Sequence, residues 1–104
     1  MTPYEALQIS KSLKKRNRKL EKLIIENSQL CFDYAREVLR GPFLEGEKTI
    51  SSDSFHSFMY AKYVLNGPFT LGHHVIFNSF YKKDYIDFLK SINCDLTEIE
   101  EWLI

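Results

Sequence analysis

The phrase LRGPFLEGEKTI at residues 39–50 returns as LNGPFTLGHHVI at residues 65–76. Aligned without gaps, residues 27–52 and 53–78 agree at eleven of 26 positions. Tyr34 meets Tyr60, Ala35 meets Ala61, and Val38-Leu39 meets Val64-Leu65. Gly41, Pro42 and Phe43 meet Gly67, Pro68 and Phe69. Repetition at a period of 20–50 residues marks units that bury their apolar faces against their neighbours. A chain of 104 residues makes one domain. It holds four units of this size, at about 1–26, 27–52, 53–78 and 79–104.

Each intact unit reads as two helices. Asn27 and Asp53 are suited to cap the first helix, because their side-chain oxygens can take a free backbone N–H. Phe32, Ala35, Val38 and Leu39 in one copy, and Phe55, Phe58, Ala61, Val64 and Leu65 in the other, recur at the helical period. Gly41 and Gly67 are expected to supply a left-handed residue just past the helix end, and Pro42 and Pro68 to bar its continuation. Phe43 and Phe69 are then expected to fold into the core. A second, shorter helix comes next at about Glu45–Ser51 and Leu71–Asn78, with Ile50 or Ile76 inward. The expected architecture is all-α: a small solenoid-like stack of helix pairs with degenerate end units.

The end units fit more loosely. In residues 1–26, Ile24 takes the place of Ile50 and Ile76. Thr2 and Glu5 form a capping box around Pro3. With no GPF stop, residues 3–25 are expected to form one long helix, with Ala6, Ile9, Leu13, Leu20, Leu23 and Ile24 inward. In residues 79–104, Ser79 takes the capping position, Tyr81, Tyr85, Phe88, Leu89 and Ile92 form an apolar face, and Thr97 with Glu100 opens a last short helix.

The block YAREVLRGPFLEGEKTI, echoed as YAKYVLNGPFTLGHHVI, resembles a short tandem repeat of large tailed bacteriophages, in which a Tyr-Ala-x-x-Val-Leu-x-Gly-Pro-Phe core recurs at similar spacing. The resemblance covers residues 27–78 and weakens in the end units, which lack GPF. It implies a viral origin and a helical array, and it brings no catalytic residues with it.

Formal net charge is zero, but its distribution is uneven. Half of the 14 Lys and Arg lie in residues 11–22. On one continuous helix, Lys11, Lys14, Lys15, Arg18 and Lys22 share a face opposite the apolar stripe. Such a ridge is either a solvated outer face or a surface for phosphate or an acidic protein. The last unit is acidic, with Asp84, Asp87, Asp95, Glu98, Glu100 and Glu101. Helix-start acids favoured by the dipole explain Glu98 and Glu100. Head-to-tail pairing in a homo-oligomer, or mimicry of nucleic acid, would explain the whole set.

Other groups give weaker signals. Adjacent His73 and His74 point about 100° apart on a helix, unlike a metal pair at i and i+4. They align with Glu47 and Lys48 and read as polar surface, so no metal or other cofactor is expected. GPFLEG and GPFTLG lack the Lys-Ser/Thr of a phosphate loop. Cys31 and Cys94 share no metal spacing and read as reduced thiols in a cytosolic setting, which leaves a disulfide between them open. The repeated aromatics, Phe32, Tyr34, Phe43, Phe58, Tyr60 and Phe69, read as core. Tyr34 and Tyr60 are placed at its edge, and Tyr63, Tyr81 and Tyr85 are candidates for an exposed strip. The first residues lack the apolar segment of a signal peptide, and no apolar run approaches the roughly 20 residues that span a bilayer.

The functional expectation is a non-catalytic protein-binding module in the cytoplasm of a bacterial host. It would be a small phage protein that inhibits or modulates a defence or gene-expression protein, an anti-CRISPR activity being one form. Its candidate contact faces are the basic ridge and the acidic end at Asp84, Asp87, Glu98, Glu100 and Glu101. The alternative is a nucleic-acid binder using the basic helix at residues 11–22.

Overall fold

The structure, a computed structural model, describes residues 1–13 and 15–103. It is all-α, with no strand among the described residues. Helix α1 spans Pro3–Leu13, α2 Arg18–Ile24, α3 Ser28–Tyr34, α4 Glu47–Ile50, α5 Ser54–Tyr60, α6 His73–Phe77 and α7 Lys82–Ser91. Helix α1 packs on α2 and α3, α3 on α4 and α5, α5 on α6, and α6 on α7. The molecule measures 46 × 22 × 17 Å.

Residues 27–52 and 53–78 share the same succession of elements. Asn27 accepts from the Leu30 amide at 3.0 Å to cap α3, and Asp53 accepts from the Phe55 amide at 3.0 Å to cap α5. Each helix widens into a π-type turn, Ala35–Leu39 or Ala61–Leu65. A 3-10 turn comes next, Leu44–Gly46 or Thr70–Gly72, and leads straight into α4 or α6. Phe43, Ile50, Phe69 and Ile76 are buried, as is Ile24 at the matching place in the first unit.

The left-handed residue is not the glycine. Arg40 (φ 53°) and Asn66 (φ 50°) hold that conformation, and no glycine has positive φ. Proline excludes the helical region for the residue before it and drives it toward extended backbone. Gly41 and Gly67 precede Pro42 and Pro68, so the reversal falls one residue earlier. The Ala35 carbonyl accepts from both the Arg40 and Gly41 amides, and Ala61 does the same for Asn66 and Gly67. The glycines that sterics require are Gly46 and Gly72. A Cβ there would lie 2.6 Å from the Phe43 ring, or 2.7 Å from the Phe69 ring. The extra residue of the π turn also rotates the end of each helix, leaving Val38, Leu39, Val64 and Leu65 only half-buried.

The first unit departs further from expectation. Thr2 and Glu5 do form the reciprocal capping box, at 3.0 and 3.1 Å. The single helix over 3–25 is nevertheless broken. Asn17 takes an extended conformation and caps a new helix, accepting from the Leu20 amide at 3.1 Å. A continuous helix would set Lys11 over Lys15 and Lys15 over Lys19 at i,i+4, where like charges repel. The break also turns α1 differently. Its inward face is Ala6, Leu7 and Ser10, and Ile9 and Leu13 are exposed. Ser10 is satisfied there by donating to the Ala6 carbonyl at 2.8 Å.

In the last unit, Ser79 shapes a turn rather than a helix cap. Its hydroxyl donates to the Ile76 carbonyl and accepts from the Tyr81 amide, and α7 starts only at Lys82. Asn93, at φ 57°, closes α7 while the Cys94 amide reaches back to the Leu89 carbonyl. The final 3-10 turn, Thr97–Trp102, is opened by Asp95, which accepts from the Thr97 amide at 3.0 Å. Thr97 therefore does not act as the cap. Trp102 stacks on Phe77 at 5.2 Å and covers that end of the core.

Candidate functional site

Tyr34 and Tyr60, expected at the edge of the core, and Tyr85, expected on an apolar face or in an exposed strip, are the largest fully buried side chains. Each hydroxyl needs a partner at that depth, and each finds it in the preceding unit. The Tyr60 hydroxyl accepts from the Phe43 amide at 2.9 Å and donates to Glu47 at 2.7 Å. The Tyr85 hydroxyl accepts from the Phe69 amide at 3.0 Å and meets His73 Nε2 at 2.8 Å. The Tyr34 hydroxyl donates to Glu21. Glu21, Glu47 and His73 recur at the 26-residue spacing. Burial pushes all three phenols up, Tyr85 to about 12.

This arrangement absorbs most of the groups that could have done chemistry. His73, expected at the surface, is buried, and burial lowers its pKa against the opposing pull of Glu98. The Phe69 amide donates to the Tyr85 oxygen as the Phe43 amide donates to Tyr60, and His73 Nε2 stands where Tyr60 meets the Glu47 carboxylate. His74 is exposed, as expected. Glu21 is 3% exposed, yet its carboxyl lies below the usual range. Burial raises it, and the Arg16 guanidinium and Tyr34 hydroxyl outweigh that. Arg16 grips Glu21 through Nε and Nη2 at 2.8 and 3.0 Å. Cys31 is buried, and its thiol is pushed up to about 12. It donates to the Ile24 carbonyl, as Ser57 does to Ile50. Cys94 is half-buried, and both cysteines are free thiols. No buried side-chain polar atom among the described residues lacks a hydrogen-bond partner, and no group of three His, Cys, Asp or Glu among them is placed to hold a metal ion.

The basic ridge does not assemble as one helix face. Lys11 lies on α1 and pairs with Glu37 at 3.0 Å. Lys15 lies between helices and is exposed, and Arg18 and Lys22 lie on α2. Arg18 and Arg16 both reach Glu45, at 3.2 and 2.9 Å. Lys14 lies outside the described residues. Sequence reasoning passed over Arg16, because its partners Glu21 and Glu45 meet it only in the fold. The acidic set is exposed: Asp84 and Asp87 on α7, and Glu98, Glu100 and Glu101 on the last turn. That end is not uniformly acidic, since α7 also carries Lys82, Lys83 and Lys90.

Among the exposed large apolar side chains, which include Leu44 and Leu71, one group forms an aromatic cluster. Phe80 is 90% exposed and Phe55 42%. Tyr81 bridges them, with ring centroids 5.9 Å from Phe80 and 5.5 Å from Phe55. Further along, Tyr63 is exposed under Arg36 and Lys62, at 5.0 and 5.4 Å. A groove of about 440 Å³ runs beside Phe80, lined by Lys82, Lys83, Ile86, Asp87 and Lys90. A second of about 390 Å³ lies between Phe58, Lys62 and the Asp84–Asp87 side of α7. The sequence did hold a signal for this patch. Phe80 stands where the intact units carry Ser28 and Ser54, and Phe55 where the first carries Gln29. Phe80 and Phe55 break the repeat and stay outside, whereas Phe77, which stands where the first intact unit carries Ser51, is buried.

Compared with known protein families, curated proteins and solved structures, the chain matches none.

Proposed function

We propose that this chain is a non-catalytic protein-binding module, and that its contact surface centres on Phe80, Tyr81 and Phe55. The observation that carries this reading is the 90% exposure of Phe80 beside two further aromatics. Exposed aromatic clusters are the surfaces on which binding energy concentrates. The interior supports the same reading, because its hydroxyl, carboxylate and imidazole groups are tied to one another in joining the units. The recurrence of the Tyr contacts and the 46 Å long axis support a short stack of helix pairs. The GPF resemblance adds support for a small phage protein that binds and modulates a host or viral protein.

The test compares wild type with a Phe55→Ala, Phe80→Ala variant in quantitative co-purification from a bacterial lysate. Loss of specific partners in the variant, with circular dichroism unchanged, is the expected result. An identical retained set for both proteins, or none for either, would overturn the proposal. The nucleic-acid alternative keeps Lys15 and Lys22, for which no carboxylate partner exists among the described residues, while Lys11 and Arg18 are engaged. Electrophoretic shifts that weaken steeply with salt, and vanish on charge reversal at Lys15 and Lys22, would favour it.

A further inference from the structure

The groove beside Phe80 combines an exposed ring with clustered positive charge. Its apolar part is the exposed Phe80 ring and the half-buried Ile86. Lys82, Lys83 and Lys90 stand around it against the single carboxylate of Asp87. None of these lysines is paired with a carboxylate among the described residues, unlike Lys11, Arg16 and Arg18. An apolar floor ringed by three such lysines therefore sits in the unit with the most acidic sequence.

We infer that this groove takes a short acidic segment of a partner protein, an aromatic or aliphatic side chain lying against Phe80 and Ile86 and carboxylates reaching Lys82, Lys83 and Lys90. The inference rests on the protein-binding reading above and names the partner's chemistry. Charge complementarity sets the sign of the partner, and the exposed aromatic supplies the anchor. Aromatic rings beside lysines also suit single-stranded nucleic acid. Asp87 lines both grooves, however, and Asp84 lies beside it in the second. A polyphosphate with fixed spacing meets them wherever it crosses from the Phe80 groove to the second. A peptide can place its carboxylates over the lysines and uncharged residues over Asp84 and Asp87.

The probe is a fluorescein-labelled peptide Glu-Asp-Glu-Phe-Leu-Ser-Gly-Ser, whose last three residues can lie over Asp84 and Asp87, followed by fluorescence anisotropy with the full chain. Controls are the same peptide with Ser for Phe and Leu, one with Lys for every acid, and an oligo-dT strand of similar charge. Binding of the acidic apolar peptide is expected, weakened at least tenfold by Phe80→Ala and by the Lys83→Glu, Lys90→Glu pair, and reduced by salt. These residues are exposed, so circular dichroism should not change. Equal binding by the charge-reversed protein, preference for the lysine peptide, binding of the oligo-dT strand alone, or no binding at millimolar protein would each overturn the inference. Should the peptide fail while Phe80→Ala still abolishes partner capture, the protein-binding reading stands and only the acidic chemistry falls.

Discussion

Tyr60 shows how much one hydroxyl does in this fold. It satisfies the Phe43 amide and Glu47 together, so Tyr60→Phe leaves two polar groups short of a partner. We expect a loss of about 1–3 kcal/mol in urea melts. Tyr63→Phe, on a ring 48% exposed, should stay within about 0.5 kcal/mol. His73 adds a pH dependence. Its folded pKa lies below the ordinary 6.5, so the folded state resists the proton that the unfolded state accepts. Its contribution is complete above pH 6.5 and is lost as pH falls from there toward the folded value. Glu21, depressed below 4.5, begins a second loss as pH falls past 4.5. Urea melts at pH 7.5, 5.5 and 4 should resolve both declines. His73→Glu, which restores the carboxylate of the other two units, should flatten the first and leave the second.

Among the elements, the turn after each π segment is where residue identity and backbone conformation most need separating. Gly46→Ala drives a methyl into the Phe43 ring, 2.6 Å away, and should cost about 1–3 kcal/mol. Gly41→Ala meets nothing nearer than 4.0 Å and needs no positive φ. It should be neutral, or stabilising by about 0.4–1 kcal/mol through the unfolded chain. Thermal melts of the two variants side by side check this reversal of the usual expectation for a glycine after a helix. Asn17→Ala removes the cap that starts α2 and should cost about 1 kcal/mol. No change in that melt would mean that the break between α1 and α2 does not depend on the cap. Asn17 carries the same local cap signal as Asn27, but the Lys-rich stretch also continues the helical pattern, and the spacing alone does not say which of the two wins.

Over the whole molecule, depth differs between positions that the sequence placed alike as inward-facing. Ile50 is fully buried and Leu39 only half so. Ile50→Ala should cost about 2–5 kcal/mol, and Leu39→Ala clearly less, when both are measured by urea denaturation. Equal losses would show that the π turn buries more than the structure indicates. No helix among the described residues is long and apolar enough to cross a membrane. The charge asymmetry, +4 over residues 1–26 and −3 over residues 79–104, does not become two opposed faces. Arg16, Arg18 and Lys11 pair with Glu21, Glu45 and Glu37, only Glu21 among these groups being buried, and the last unit brings its lysines together at one groove.

The sequence by itself determined what near neighbours decide. The caps at Thr2, Asn27 and Asp53, the buried Ile24, Ile50 and Ile76, and the short second helices all depend on spacings within a turn or two. Local periodicity encodes these directly. Only the tertiary structure decided which polar groups lie deep. Tyr60 lies 13 residues from Glu47 and 17 from Phe43, and Arg16 lies 29 from Glu45. Burial of a hydroxyl or a carboxylate is stable only when such distant partners arrive together. Phe80 lacks such partners: Tyr81 carries the one ring that meets it among the described residues, and it stays 90% exposed.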